Sequence, residues 1–170
     1  AFTSFNRQKV AKWIADEPIQ TVLDKDWEYQ IGVIKPALSC EFLVGWTKQP
    51  SISKDMINLV KSAISEEFLT ETEQQVQTCK KALLSGDKEK IKSALQNVSD
   101  LLLSLSSAIY IDKLKDLKAA EEGLDVIAKS SGSGGGDCGI AISFESNDTK
   151  ELITRWQNLG IELLDLEKLS

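Results

Sequence analysis

The sequence predicts an α+β domain, a ferredoxin-like split β-α-β sandwich with an enlarged first helical section. Three observations predict it. Segments rich in β-branched and aromatic residues stand on both sides of a long middle section whose apolar residues recur at steps of three and four, so strands flank helices. From Glu41 onward the order reads strand, helices, strand, strand, helix, strand. A chain of 170 residues, 42% of them hydrophobic, is the size of one domain and buries roughly two thirds of its unfolded surface.

Ala1 to Phe5 is short and half apolar, and Asn6 can cap a helix whose Val10, Trp13 and Ile14 share a face until Pro18 intervenes. Ile19, Val22, Leu23 and Trp27 read as a second short helix. "YQIGVIKPALSCEFLVGWT", Tyr29 to Thr47, reads as two strands divided by Pro36, with Glu41 to Thr47 the clearer. Ser53 is placed to cap a helix with Met56, Val60, Ala63 and Ile64 on one face; Val76, Cys79 and Leu83 follow. After "SGD" comes the longest stripe, Ile91, Leu95, Val98, Leu102, Leu105 and Ile109. Asp112 is placed to cap a helix carrying Leu114 and Leu117, ended by Gly123. "LDVIAK" and "CGIAISF" then read as strands. Asp148 with Glu151 has capping-box spacing before a helix bearing Leu152, Ile153, Trp156 and Leu159, which Gly160 stops, and "IELLDLE" is the last strand. The stripes are read as packing faces, as are Trp13, Trp27, Trp46 and Trp156, and no internal repeat of fixed period is found.

The formal net charge is −6, from mixed charges spread along the helical segments, so the basic footprint that nucleic acid or an anionic membrane requires is missing. The chain has no histidine, which removes histidine metal sites, Ser-His-Asp triads and the commonest general base. Chemistry then rests on carboxylate, lysine, hydroxyl or backbone groups. Cys40, Cys79 and Cys138 are odd in number and widely spaced, which fits reduced thiols in a cytoplasmic protein and no disulfide. No apolar run approaches a bilayer span, and "AFTSFNRQKV" has neither the apolar run nor the cleavage site of a signal peptide.

The most informative stretch is "AKSSGSGGGDCGIAISF", Ala128 to Phe144, a cluster of glycines and serines between two strands. Glycine costs conformational entropy on ordering, so such a cluster is either a linker or a backbone that comes very close to a ligand. Strands on both sides weigh against a linker. Consecutive amides freed by glycine can converge on a phosphate, with Ser130, Ser131 and Ser133 adding hydroxyl donors. The Gly-Lys-Ser/Thr ending of a Walker A loop is missing, and the stretch leads into a strand rather than the helix of a dinucleotide fold. The residues alone therefore read as an anion or phosphate loop, or as a glycine-rich hairpin connection with no ligand.

That stretch closely resembles the third signature motif of the GHMP kinase superfamily, and its Gly-Gly-Gly-Asp-Cys-Gly form is similar to that of the phosphomevalonate kinases within it. Mevalonate and homoserine kinases usually lack the Asp-Cys pair. "AFTSFNR" followed by "LDKDWEYQIGVI", "FLVGWTKQPSISKDMI" and "RWQNLGIELL" resemble the same family, so the likeness runs from Ala1 to about Leu164. It implies a GHMP kinase C-terminal domain over 41–170 with its Gly-rich motif at 128–144, and residues 1–40 as a remnant of the N-terminal kinase domain and its connection. The implied activity is ATP-dependent, Mg²⁺-assisted phosphorylation of (R)-5-phosphomevalonate to 5-diphosphomevalonate in isoprenoid biosynthesis.

Carried over residue by residue, the resemblance puts Ser130, Ser131, Gly132, Ser133, Gly134, Gly135, Gly136 and Asp137 at the phosphate site. Ser133 stands where many relatives have alanine. Asp137 is either bridged to phosphate by Mg²⁺ or, the expected role, an anchor for the glycine turn, and Lys129 either neutralises phosphate or, as is commoner for a lysine closing a strand, is solvated. Thr47, Lys48 and Ser53 lie in the second matching turn, where helix capping is the expected role of Ser53. Two family motifs are absent: the ATP loop and the Gly-Ser-Gly-x-Asp segment with the catalytic aspartate. The chain is therefore expected to be the C-terminal portion of such a kinase, to partner its missing N-terminal half, and to be inactive alone with no catalytic residue, metal ligand or bound cofactor of its own. The alternatives are another small-molecule kinase of the superfamily, mevalonate or homoserine kinase-like, and a non-catalytic anion-binding or interaction module.

Overall fold

The computed structural model describes residues 2–4, 7–51, 58–132 and 134–169. They fall into two units, Ala1–Ile34 and Lys35–Ser170.

In the first unit, β1 (Phe2–Ser4) pairs antiparallel with β2 (Gln30–Gly32), with α1 (Arg7–Asp16) and α2 (Ile19–Leu23) between them. Pro18, at φ −59, sits just before α2, where its missing N–H breaks no helical bond. Trp27 lies beyond α2 rather than on it: the helix ends at Leu23, and the Trp27 indole Nε1 donates back to the Val22 carbonyl at 2.8 Å. Trp13 packs beneath two ammonium groups, Lys9 and Lys25, 5.2 and 5.0 Å from its ring. Asn6, read as the cap of α1, lies outside the described residues.

The second unit is built from β3 (Cys40–Trp46), α3 (Glu66–Ser85), α4 (Lys88–Leu105), a 3₁₀ turn (Ser107–Ile109), α5 (Asp112–Ala119), β4 (Val126–Ser130), β5 (Cys138–Ser143), α6 (Ser146–Asn158) and β6 (Glu162–Leu169). Its sheet has the order β4-β5-β3-β6, and every neighbouring pair is antiparallel. The strands joined by the long helical section, β3 and β4, are held apart by β5, as the split β-α-β plan requires.

Local chemistry sets the helix ends. Ser65 Oγ accepts from the Phe68 amide to start α3, and Gly86 at φ 73 stops it; Asp87 then caps α4 through the Lys90 amide. Ser106 turns extended and its hydroxyl accepts from the Ala108 amide, so α4 ends at Leu105 and Ile109 stands on a separate turn rather than on the α4 stripe. Two expected caps do not form. Asp112 is the first residue of α5, after Ile111, and its carboxylate takes the Lys115 ammonium. Asp148 is drawn instead to the Asp125 amide at 2.7 Å, Glu151 pairs with Arg155, and α6 starts after Glu145. α5 likewise ends at Ala119, with a turn carrying the chain on to Gly123. Ser53 and Met56 lie outside the described residues.

The strands alternate between two cores. One face, with Leu43, Val126, Ala128 and Ala141, packs on Leu114, Leu117, Leu152 and Trp156 of α5 and α6. The other, with Cys40, Ile127 and Ile142, packs on Ala82 and Ile91 of α3 and α4. On the first face Gly45 makes room for Trp156, since a Cβ there would stand 2.8 Å from its ring. The Trp156 indole N–H donates to the Leu117 carbonyl at 3.0 Å, so the buried ring leaves no polar group unpaired. Cys40, Cys79 and Cys138 are free thiols.

Candidate functional site

The glycine- and serine-rich stretch is the connection of the β4–β5 hairpin. The ladder runs to Ser130↔Gly139, and the Ser131 amide extends it by donating to the Cys138 carbonyl at 2.9 Å. Beyond that the backbone takes left-handed conformations: φ is 65 at Gly132, 72 at Gly134, 75 at Gly135, 134 at Gly136 and 60 at Asp137. Only glycine, or a short polar residue such as aspartate, takes such angles at low cost.

Two turns hold this loop from either side. From the end of β3, the Thr47 amide and hydroxyl both donate to the Asp137 carbonyl at 2.8 Å, the Asp137 amide donates to the Gln49 carbonyl at 2.5 Å, and the Ser51 hydroxyl donates to the Gly134 carbonyl at 2.7 Å. From the 3₁₀ turn, the Ile109 carbonyl accepts from the Gly135 amide at 2.9 Å. The fit is close: a Cβ on Gly134 would stand 2.4 Å from Ile109 Cγ2, and one on Gly136 would stand 2.5 Å from the Gln49 oxygen. Asp137 thus anchors the loop through its main chain.

The anchoring narrows what the loop can offer an anion. Ser131, Gly135 and Asp137 spend their amides on the fold, whereas among the described residues the amides of Gly132, Gly134 and Gly136 have no partner. Ser130 is fully buried, and its hydroxyl makes no hydrogen bond among the described residues. Its amide donates to the Tyr110 hydroxyl at 3.3 Å. The Lys129 ammonium donates to the Ser130 carbonyl at 2.6 Å; burial first, and then the charge of Lys118, push its pKa down. Burial, followed by the Asp137 carboxylate, pushes the Cys138 thiol up and keeps it protonated. Thr47 is buried in the clamp, and Lys48 turns away to pair with Glu162 at 3.1 Å. Ser133 and Ser53 lie outside the described residues.

Four residues of the clamp escape a reading of the sequence: Gln49, Ser51, Ile109 and Tyr110. Ile109 and Tyr110 are hidden at the end of an apolar stripe; the sole local signal is the serine run "SLSSA", which interrupts the helix. Gln49 acts through its carbonyl, which side-chain identity does not report.

Residues 79–162 match the family described as GHMP kinases C terminal. The phosphomevalonate kinase of Streptomyces sp. (strain CL190) is 33% identical, over 72% of this chain and 36% of that enzyme. The structure of Streptococcus pneumoniae phosphomevalonate kinase in complex with phosphomevalonate and AMPPNP superposes with a TM-score of 0.87 at 48% identity, covering 98% of this chain and 50% of that one. The L. major mevalonate kinase, at 17% identity and a TM-score of 0.66, shares the fold. The chain spans half or less of the length of these relatives. The chain thus carries a GHMP kinase C-terminal domain and is homologous to part of phosphomevalonate kinase.

Proposed function

We propose that this chain is the C-terminal part of a phosphomevalonate kinase, and that its β4–β5 loop is one wall of the site where ATP phosphorylates (R)-5-phosphomevalonate to 5-diphosphomevalonate. The observation that carries this reading is the 48% identity, over 98% of the chain, to a kinase whose structure holds phosphomevalonate and AMPPNP. The loop geometry supports it. Phosphoryl transfer asks a protein mainly to position two polyanions and to meet developing charge with fixed donors. In this reading the Gly132, Gly134 and Gly136 amides and the hydroxyls of Ser131 and Ser133 supply the donors, and Gly135 and Asp137 hold the loop in place; Ser130, whose hydroxyl is fully buried, is not among them.

Mg²⁺, bound with the nucleotide, would neutralise phosphate charge, while Asp137 acts as the main-chain anchor of the glycine turn. No group of this chain is assigned as catalytic base. Residues 1–40 belong in this reading to the N-terminal kinase domain and its connection, residues 41–170 form the C-terminal domain, and the enzyme works in the cytoplasm. The test is ADP formation by the full-length enzyme with phosphomevalonate, mevalonate and homoserine in turn, beside the 170-residue chain alone. Turnover with phosphomevalonate and silence of the isolated chain are expected. Equal turnover of mevalonate, or appreciable activity of the chain by itself, would overturn the reading.

A further inference from the structure

We infer that Tyr110 is a positioning residue of the phosphoryl-transfer site, acting on the Gly-rich loop through the amide of Ser130; the inference rests on the functional reading above. β4 is an edge strand of the sheet, with one row of backbone groups facing away from β5. Along that row the groups of Ala128 and Ser130 meet side chains. The Ala128 amide donates to Glu121 Oε2, the Ala128 carbonyl accepts from Lys118 Nζ at 3.1 Å, and the Ser130 amide donates to the Tyr110 hydroxyl. Ser130 is the last residue of the strand, so this last contact fixes the point from which the loop departs.

Tyr110 is itself fixed. Its hydroxyl lies 2.5 Å from Ser99 Oγ, and both residues are buried, at 3% and 2% exposure. The ring packs in the first hydrophobic core and also borders a cavity of about 480 Å³ that Leu103, Lys118 and Glu121 line. The hydrogen bond between the Ser99 and Tyr110 hydroxyls adds to that packing and holds the phenol oxygen where it meets the strand. The preceding residue, Ile109, meets the loop again at Gly134 and Gly135. Two successive residues thus set the loop at its base and at its middle. Without the Tyr110 hydroxyl, the Ser130 amide loses its partner, and the strand end that carries Ser131 and Gly132 is held from the β5 side alone. Positioning errors of a fraction of an ångström weigh heavily in phosphoryl transfer, where alignment supplies much of the rate.

The test uses the full-length enzyme with Tyr110→Phe and, should that variant fold poorly, Ser99→Ala, which keeps the tyrosine and removes its lock. Amide hydrogen exchange over 129–137 and steady-state kinetics are measured side by side. Tyr110→Phe is expected to speed exchange at Ser130 about tenfold, confined to that segment, and to lower kcat about tenfold with KM for ATP unchanged. Ser99→Ala should do the same to a lesser degree, about threefold. Exchange over 129–137 within twofold of wild type in both variants would overturn the inference. So would faster exchange spread evenly over α4, β4 and β5 with kcat per folded molecule unchanged, the pattern of a merely structural contact. If the wild-type enzyme does not phosphorylate phosphomevalonate, the functional reading falls by that result, and the exchange pattern still decides whether Tyr110 positions the loop.

Discussion

Gly132 and Gly134 are two residues apart, adopt nearly the same φ, and carry different constraints. A Cβ on Gly132 meets nothing within 4 Å, so Gly132→Ala pays only the left-handed backbone, about 1 kcal/mol. A Cβ on Gly134 adds a collision with Ile109, whose Cα and carbonyl oxygen would lie 2.9 and 2.6 Å away and are backbone atoms that cannot swing aside. Gly134→Ala should therefore cost about 2–4 kcal/mol, seen as a lower urea midpoint with an unchanged slope. Equal costs for the two would mean that the 3₁₀ turn yields freely to the loop. The sequence makes the glycine cluster visible and invites a ligand reading for all of it. It does not separate glycines needed for backbone angle from those needed for space, because the neighbour that decides, Ile109, is 25 residues upstream.

At the level of elements, the helices are legible from the spacing of apolar residues, and their ends are less so. A cap is a competition for one carboxylate, and distant partners enter it. Asp148 illustrates this, since it satisfies the Asp125 amide and leaves the start of α6 without a side-chain cap. Asp125 in turn ties the start of β4 to the first turns of α4, with its carboxylate 2.5 Å from Lys88 Nζ and 3.1 Å from Lys92 Nζ. Partial burial opposes its charge, but the hydrogen bonds and charges of the two lysines together outweigh burial and hold its pKa below 3.8. A depressed carboxylate contributes stability above its unfolded pKa and loses it as pH falls through the folded value. Asp125→Asn should then cost about 1 kcal/mol at neutral pH, the partly exposed lysines being screened by solvent. The gap from wild type should close on acidification below 3.8. Thermal melts of both proteins across that range check it, and a gap that persists in acid would mean that asparagine disturbs packing rather than charge.

On the scale of the molecule, strand order and the split β-α-β plan follow from the sequence of strand-like and helix-like segments, whereas the clamp on the loop does not. Its two halves, Thr47–Ser51 and Ile109–Tyr110, are about 60 residues apart and act on residues 130–137 mainly through main-chain atoms, which no pattern of side chains encodes. The same separation divides stability from function. Among the described residues neither hydrophobic cluster includes a residue from 131 to 137, and the loop meets the first core where Gly134 lies against Ile109, so changes that spare that contact leave both cores packed. Ser131→Ala combined with Gly135→Val removes a hydroxyl and forces a β-branched residue to φ 75, which detaches the loop from the Ile109 carbonyl. In the full-length enzyme the double variant should lose about 10²–10³ in kcat, the scale of a lost preorganised donor set, while its melting stays cooperative. Retained turnover would remove the loop from the site; a broad, non-cooperative melt would show that the loop also carries the fold.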